Sequence, residues 1–145
     1  MAVTRSATTI WKGTLFEGEG KFTTGTGALG EQPVSWPART EEPGGKTSPE
    51  ELIAAAHASC LSMAFSGALT RNGTPPEELR VTATATFEKR EEGFRITRML
   101  LEVEGQVPGI DEATFQEKAE AAKVGCPVSN ALKGNVEIDL TAKLL

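Results

Sequence analysis

The stretch SPEELIAAAHASCLSMAFSGALTRNG, residues 48–73, decides the fold of this chain. It opens with Ser48 as a candidate N-cap, Pro49 in the first helical position and Glu51 three residues after the serine, which together make a capping-box pattern. It closes on Asn72-Gly73, a pair that favours the left-handed turn with which helices end. The stretch therefore predicts one long helix between these two signals.

The interior of this helix, residues 52–70, carries no formal charge and is nearly long enough to cross a bilayer. It nevertheless contains a histidine, a cysteine, several serines and a glycine among its alanines, which makes it too polar and too small-sided to favour lipid. A helix that is apolar or small on every side is typical of the centre of a globular core. We therefore expect a buried central helix and no membrane partner.

The sequence on both sides of this helix is typical of β-strands. Residues 6–16 and 20–26 are rich in threonine and aromatic residues and predict a β-hairpin, and residues 27–47 predict a loop with one short strand near Val34–Trp36. The later predicted elements are a strand over 79–91, a strand over 94–107, a helix over about 112–124 capped by Asp111, a helix over 127–132 and a strand over 135–144. This order predicts an α+β fold in which sheet covers one long helix, within a single domain over residues 1–145.

Length and charge restrict the possible partners. With 145 residues the chain has the size of one domain and can bury a core without a disulfide. Its formal net charge of −5 argues against nucleic acid and against an anionic membrane surface as partners. Residues 1–6 lead into strand-like sequence without the apolar run of a signal peptide, so we expect a cytoplasmic protein.

The two cysteines stand in unlike surroundings. Cys126 occupies the N-cap position of a predicted helix, where backbone N–H groups and the helix dipole favour a thiolate, although a cysteine there can also be simply a small capping residue. Cys60 lies in the middle of the uncharged helix, where a cysteine is more often a small hydrophobic residue than a nucleophile. Only an arginine or lysine from elsewhere in the chain could activate it. In a cytosolic chain, such a pair is more often catalytic or metal-binding than structural.

The single histidine gives little support for a metal site. The two cysteines are too far apart for a Cys-x-x-Cys motif, and no pair of candidate ligands has the short spacing of a zinc site, so we expect no metal and no cofactor. His57 lies one turn before Cys60 on the same helix face, and a Cys–His dyad for acyl chemistry is one interpretation. The preferred interpretation is a histidine that is hydrogen-bonded at a contact between helices.

Two charged residues near the start of the helix are further candidates. Arg39 follows Trp36-Pro37-Ala38 in the Pro-flanked loop, where an arginine is usually only solvated. Glu50 lies in the first turn of the helix, where a carboxylate usually serves the helix dipole. Taken one at a time, both residues have these ordinary explanations.

Taken together, three motifs resemble one known family. SPEELIAAAHASC at 48–60, VPGID at 107–111 and GCPVS at 125–129 are similar to the OsmC/Ohr family of thiol peroxidases, the osmotically inducible and organic-hydroperoxide-resistance proteins. The resemblance covers essentially the whole chain, and the positions of Arg39 and His57 favour the OsmC branch. It implies an OsmC-like fold, with antiparallel sheets wrapped around a long central helix in an intertwined homodimer.

The resemblance also implies a reaction and a role for each candidate residue. Cys60 would be the peroxidatic thiolate that attacks a hydroperoxide and becomes a sulfenic acid, and Cys126 would be the resolving thiol that condenses with it to a disulfide. Arg39 would stabilise the Cys60 thiolate, and Glu50 would hold Arg39 by a charge-assisted bidentate contact. Similar proteins reduce organic hydroperoxides, also accept hydrogen peroxide, and are reset by a dithiol such as a lipoyl group on a protein.

Two expectations from the residues bear on this reaction. Local sequence favours Cys126 as the thiol of lower pKa, whereas the resemblance gives the first attack to Cys60 and supplies Arg39 as its cation. Glu50 and Cys60 are ten residues apart on one helix, about 15 Å along its axis, so one site with both requires a bent helix or two subunits. We expect an obligate homodimer. The expected lining of the substrate pocket is Met63, Phe65 and Trp36.

Two other functions compete with a peroxidase active in oxidative or osmotic stress defence. In a non-enzymatic thiol switch, the same two cysteines would sense oxidant and change a binding surface, which predicts stoichiometric oxidation without turnover. The chain has no basic patch or recognition helix that would suit a transcriptional sensor. In a stress-related binding or structural protein, replacement of Cys60 by serine would leave the function intact. The resemblance favours the peroxidase over both.

Overall fold

The computed structural model describes the whole chain, Met1–Leu145. The chain divides into two compact units, Met1–Leu52 and Ile53–Leu145. The long helix begins in the first unit and continues into the second. The single domain expected over residues 1–145 stays a prediction.

The first unit contains a three-stranded antiparallel sheet. Its strands are β1 (Ala7–Lys12), β2 (Glu19–Thr24) and β3 (Gln32–Val34), and they lie in the sheet in the order β1-β2-β3. The hairpin predicted over 6–16 and 20–26 is therefore confirmed. Its close pairing requires the glycine at position 20, because a Cβ there would lie 2.7 Å from the ring of Trp11.

A short helix, α1 (Trp36–Thr40), follows β3 and was not predicted from sequence. The predicted strand near Val34–Trp36 ends at Val34, and Arg39 lies in α1 rather than in a loop. The helix begins as the long helix does: Ala38 N–H donates to Ser35 Oγ at 3.4 Å, and a proline occupies the first turn. Five residues are too few to display helical periodicity, which explains why the pattern missed it.

The long helix is α2 (Pro49–Arg71), as the opening stretch predicts. Glu51 N–H donates to Ser48 Oγ at 3.1 Å, which confirms the N-cap. At the other end Gly73 has a φ of +83°, and the N–H groups of Gly73 and Thr74 bond back to carbonyls of the last turn at 3.0 Å each. These two bonds make a Schellman motif, so both predicted helix ends are confirmed.

In the single chain α2 is buried along one face only. The buried face repeats at every fourth residue and consists of His57, Leu61, Phe65 and Leu69, each 1% exposed or less. The opposite face consists of the exposed Ala55, Ala56, Ser59 and Met63. In the single chain the predicted burial is therefore confirmed for one face only. By length and composition alone α2 could cross a membrane, a test that the core helix of a globular protein also passes.

The second unit contains a mixed three-stranded sheet in the order β4-β5-β6. Its strands are β4 (Glu78–Arg90), β5 (Gly93–Gln106) and β6 (Glu137–Leu144), and between β5 and β6 lie the helices α3 (Glu112–Gly125) and α4 (Pro127–Leu132). β4 and β5 are antiparallel, as expected, but β6 runs parallel to β5. Parallel neighbours need a crossover, and α3 and α4 provide it.

The core of this unit lies where α2, β5 and α3 meet. Its fully buried side chains are Leu61, Phe65 and Leu69 from α2, Met99, Leu101 and Val103 from β5, and Phe115 and Ala119 from α3. The rings of Phe65 and Phe115 lie 5.0 Å apart. Position 105 has to be glycine, because a Cβ there would lie 2.8 Å from the Phe115 ring. This packing fixes the side of α2 that faces the sheet.

Candidate active site

Two of the predicted site residues, Cys60 and Cys126, lie together in the second unit. Cys60 is half-buried on α2, and Cys126 is fully buried at the junction where α3 ends and α4 begins; both are free thiols. With His57 on α2 and Ser129 on α4 they form a group that we call the thiol region. Within it, each cysteine affects the ionisation of the other.

The pKa of the Cys126 thiol is lowered from its ordinary value. Burial alone would raise the pKa, but the backbone N–H of Ser129, the Cys60 thiol, the Ser129 hydroxyl and the backbone N–H of Val128 stabilise the thiolate and outweigh burial. The thiol makes no full capping hydrogen bond, yet it lies at the N-terminus of α4, where such N–H groups converge. The local prediction that Cys126 is the thiol of lower pKa is therefore confirmed for the single chain.

The pKa of the Cys60 thiol is raised. Burial is the largest cause, and the backbone N–H of Val128 acts against it. The hydrogen bond to Cys126 and the negative charge of the Cys126 thiolate raise the pKa of Cys60 further. No cation is among these causes. A Cys60 thiolate at neutral pH therefore needs a positive group from outside the thiol region.

His57 joins α2 to α4 inside the thiol region. Its Nε2 lies 2.7 Å from Ser129 Oγ, and both residues are buried. Burial lowers the pKa of the imidazole, which is therefore neutral at pH 7. The preferred sequence interpretation, a histidine hydrogen-bonded at a contact between helices, is confirmed, but Nδ1 has no hydrogen-bond partner.

The other two predicted site residues, Arg39 and Glu50, form an ion pair in the first unit. Arg39 Nη2 lies 2.6 Å from Glu50 Oε1, and Arg39 Nε lies 3.3 Å from Glu50 Oε2, so the bidentate contact expected from the resemblance is present. Glu50 is 6% exposed. The guanidinium also lies 5.4 Å from the centre of the Trp36 ring, within the range of a cation–π contact. We call Trp36, Arg39 and Glu50 the arginine region.

The four predicted residues thus form two pairs, one in each unit. Of the residues expected to line a pocket, Met63 is 71% exposed on the open face of α2, and Trp36 packs against Arg39. Phe65 is 0% exposed, so its prediction as a pocket residue is wrong, because it belongs to the core beneath the helix. The chain contains no cluster of three or more His, Cys, Asp or Glu residues that could hold a metal ion.

One participating residue, Ser129, was missed by the sequence interpretation. It lies three positions after Cys126 in the Cys-Pro-Val-Ser segment. In the first turn of a helix, the residue three positions after the N-cap lies next to the N-cap side chain. That spacing was a usable signal for its contact with Cys126. Its second contact, with His57, joins residues 72 positions apart, and no local pattern reveals it.

Comparison with known proteins identifies the family. The sequence model of the OsmC family, described as OsmC-like protein, matches residues 42–141. The chain belongs to the OsmC family. Peroxiredoxin OsmC of Escherichia coli (strain K12) is 41% identical to this OsmC family member over 143 residues, which are 99% of each chain. The organic hydroperoxide resistance protein of Xanthomonas axonopodis pv. citri (strain 306) is 32% identical over 99 residues, 68% of each chain.

Solved structures of the OsmC/Ohr group share the fold. An organic hydroperoxide resistance protein from Elizabethkingia anophelis, with crystallant-derived thiocyanate bound, superposes with a TM-score of 0.79 at 27% identity, covering 100% of this chain and 99% of that one. The organic hydroperoxide resistance protein OhrB of Bacillus subtilis gives a TM-score of 0.76 at 26% identity, covering 95% and 98%. The resemblance stated from the motifs and the α+β OsmC-like fold are confirmed.

Proposed function

We propose that this OsmC family member is a cysteine-based peroxidase that reduces organic hydroperoxides, and also hydrogen peroxide, through a two-cysteine cycle. Its full-length similarity to a peroxiredoxin supports the activity. The observation that carries the mechanism is the pair of free thiols, Cys60 and Cys126, which are close enough to shift each other's pKa. A sulfenic acid formed on one of them can therefore condense with the other to a disulfide.

The first step is the attack of the Cys60 thiolate on the distal oxygen of the hydroperoxide. The O–O bond breaks, Cys60 is oxidised to the sulfenic acid, and the departing alkoxide takes up a proton and leaves as the alcohol. Cys60 suits this step better than Cys126, since it is half-buried and Cys126 is fully enclosed.

The second step is the attack of the Cys126 thiolate on the Cys60 sulfur. The S–O bond breaks, a disulfide forms, and the departing hydroxide takes up a proton to leave as water. The lowered pKa of Cys126 makes its thiolate available for this step. An external dithiol, such as a lipoyl group on a protein, then reduces the disulfide by thiol exchange and is itself oxidised to a disulfide.

In this proposal, Arg39 and Glu50 supply the charge that the thiol region lacks. The guanidinium of Arg39 stabilises the Cys60 thiolate and the charge that develops on the departing oxygen. Glu50 fixes the guanidinium with two parallel hydrogen bonds, a geometry that suits arginine and carboxylate. The catalytic set is therefore Cys60, Cys126, Arg39 and Glu50, with no cofactor or metal.

We also propose that the active protein is a homodimer. The open face of α2 exposes Met63, Ala55 and Ala56, and Ile10 and Phe16 of the first unit are 64% and 68% exposed. Exposed apolar surface of this kind marks an interaction site. α2 is one continuous helix, so its rise of about 15 Å between Glu50 and Cys60 favours a site that takes the two residues from different subunits.

We further propose that the protein is cytoplasmic, that it acts as a single OsmC-like domain and that it has no nucleic-acid or membrane partner. The formal net charge of −5 supports the absence of polyanionic partners. The buried face of α2, which packs into the core of the second unit, supports a globular rather than a membrane role for this helix.

The test is steady-state reduction of cumene hydroperoxide and of hydrogen peroxide, with dihydrolipoamide as the reductant. Wild type is compared with Cys60→Ser and Cys126→Ser. We expect turnover in the wild type, none in either variant, and a trappable sulfenic acid at Cys60 in Cys126→Ser. A reversible disulfide without turnover would favour the thiol switch instead, and a wild type with neither turnover nor a reversible disulfide would favour the binding protein.

A further inference from the structure

The proposed peroxidase chemistry leaves one buried polar contact of the thiol region without a role. His57 is 0% exposed and Ser129 is 5% exposed, and His57 Nε2 lies 2.7 Å from Ser129 Oγ. Each group of such a pair loses its hydration when it is buried, so the removal of one partner costs free energy of folding. The contact lies beside Cys126, since Ser129 is three residues further along the first turn of α4.

The direction of this hydrogen bond follows from what surrounds the ring. The buried imidazole is neutral and carries one N–H, on either Nδ1 or Nε2. Nδ1 has no hydrogen-bond partner. A proton on Nδ1 would therefore leave an orphaned buried N–H, which is rarer in proteins than an unsatisfied acceptor. The unpartnered Nδ1 thus favours the tautomer with the proton on Nε2, in which His57 is the donor to Ser129 Oγ.

This direction decides what the serine can do. Ser129 has one hydroxyl hydrogen, and because its oxygen accepts from His57, that hydrogen is free to be donated elsewhere. Cys126 is the N-cap of the helix turn that contains Ser129, which puts its sulfur on the side of α4 towards which the first-turn groups point. The Ser129 hydroxyl is also among the groups that lower the pKa of Cys126. A serine whose hydroxyl donated to His57 instead could not donate to the sulfur.

We propose that His57 is a positioning residue for the resolving cysteine: it donates from Nε2 to Ser129 Oγ and thereby turns the Ser129 hydroxyl towards the sulfur of Cys126. This inference rests on the proposed function, in which Cys126 resolves the sulfenic acid. His57 touches neither the hydroperoxide nor the reacting sulfur in this arrangement. It acts through Ser129, and its effect is to keep Cys126 ionised for the second step of the cycle.

The groups around Cys126 make this arrangement testable by titration. From α2, the titratable groups that face it are Cys60 and His57, and from α4 the facing group is the Ser129 hydroxyl with its neighbouring N–H groups. On α3, Lys123 precedes Cys126 by one turn and is paired with Glu120 at 2.9 Å. Neither member of that pair is among the causes that shift the Cys126 pKa, so loss of the His57–Ser129 contact should be visible as a shift of its own.

The main experiment is the pH titration of Cys126 by thiolate absorbance near 240 nm in a Cys60→Ser background, where Cys126 is the single thiol. We expect His57→Leu and Ser129→Ala each to lower its acid dissociation constant about tenfold, the size of one charge-assisted hydrogen bond. His57→Gln, whose side-chain amide can donate near the position of Nε2, should restore most of the ionisation. In Ser129→Ala, adding His57→Leu should cause no further change.

Three results would overturn the inference. They are an unchanged titration of Cys126 in His57→Leu, a His57→Gln variant no better than His57→Leu, and independent effects of the two substitutions in the double variant. A general loosening of the fold would not produce rescue by glutamine together with non-additivity.

A measurement without any His57 substitution guards against variants that fail to fold. His57 is the chain's single histidine, so its imidazole nitrogen signals in a ¹H–¹⁵N NMR spectrum need no assignment. We expect the neutral tautomer with the proton on Nε2, and a proton on Nδ1 would refute the proposal. Both experiments are independent of turnover, so a protein that fails to reduce hydroperoxides can still show the contact, and an active enzyme can still lack it.

Discussion

The thiol region and the arginine region differ in the kind of group that each contains. In the thiol region, none of the groups that shift the pKa values of the two sulfurs is a cation: they are backbone N–H groups, a hydroxyl and the other cysteine. In the arginine region, a full positive charge is held by a nearly buried carboxylate in a bidentate contact and by an aromatic ring. Neutral dipoles suffice to favour the Cys126 thiolate, but they leave the pKa of Cys60 raised.

This difference shows that the second unit alone favours the Cys126 thiolate but not the Cys60 thiolate. Cys126, the proposed resolving cysteine, has its pKa lowered by N–H groups at the start of its own helix, so its activation is local. Cys60, the proposed peroxidatic cysteine, is half-buried in mid-helix, and a positive charge is needed to offset the effect of that burial on its pKa. The proposed dimer brings this charge to Cys60, and the following substitutions test whether the two regions work together.

The largest effect is expected from Cys60→Ser. Turnover of cumene hydroperoxide should fall to the rate without enzyme, because a serine hydroxyl at neutral pH is not a nucleophile towards peroxide oxygen. The matched variant, Cys126→Ser, should also lose turnover but should still consume one equivalent of hydroperoxide per subunit, measured by rapid mixing. Consumption of that equivalent by Cys60→Ser instead would reverse the two roles.

The next largest effect is expected from Arg39→Gln. Loss of the guanidinium should reduce kcat/KM for the hydroperoxide by about 10²–10³-fold, as is usual when a charge-stabilising donor is removed. A nearby cation lowers a thiol pKa, so its removal should raise the pKa of Cys60 and shift the rising limb of the pH–rate profile to higher pH.

The matched control for this substitution is Arg98→Gln, which removes an exposed arginine paired with Asp139 at 2.6 Å. Its pH–rate profile should equal that of the wild type. A wild-type profile in Arg39→Gln would mean that the arginine region does not serve Cys60, and the comparison between the two regions would lose its functional meaning.

A smaller effect is expected from Glu50→Gln. The amide keeps an acceptor for Arg39 but loses the charge, which weakens the hydrogen bonds and loosens the guanidinium, so kcat/KM should fall about tenfold. Glu88→Gln, which changes a half-buried carboxylate paired with Arg90, serves as the control and should leave kcat/KM at the wild-type value. An effect of Glu50→Gln as large as that of Arg39→Gln would point to a direct chemical role for the carboxylate.

The smallest effect is expected from Ser48→Ala, which removes the N-cap of α2. The free energy of unfolding should fall by about 1 kcal/mol, measured as a lower midpoint of urea denaturation with an unchanged slope. Activity should stay at the wild-type level, and Ser48→Asp, which can still cap, should recover the stability. A loss of activity in Ser48→Ala would show that the position of Glu50 depends on the cap.

Much of the fold could be predicted from local signals. The ends of α2 follow from Ser48-Pro49 and Asn72-Gly73, and the start of α3 follows from Asp111, whose Oδ1 accepts from Thr114 N–H at 2.7 Å. Such signals join groups a few residues apart, so sequence order suffices to find them. The helix α1 was not predicted, because its five residues are too few to show helical periodicity.

The candidate site was predictable only in part. The lowered pKa of Cys126 arises from N–H groups within its own helix turn, and local reasoning found it. The role of Phe65 was predicted wrongly, because a helix that is apolar or small on all sides gives no sign of which face will meet the sheet. The contact of Ser129 with His57 was invisible for the same reason, since it depends on how α4 packs against α2.

The sequence by itself thus determined where the strands and all helices except α1 lie, which family the motifs resemble and which cysteine has its pKa lowered at a helix terminus. These properties depend on interactions between neighbours in the chain and on the periodicity of apolar residues. The tertiary structure alone decided that α2 is buried on one face, that His57 is hydrogen-bonded to Ser129 and that β6 runs parallel to β5. Those features depend on contacts between residues distant in sequence, which become neighbours only when the core packs.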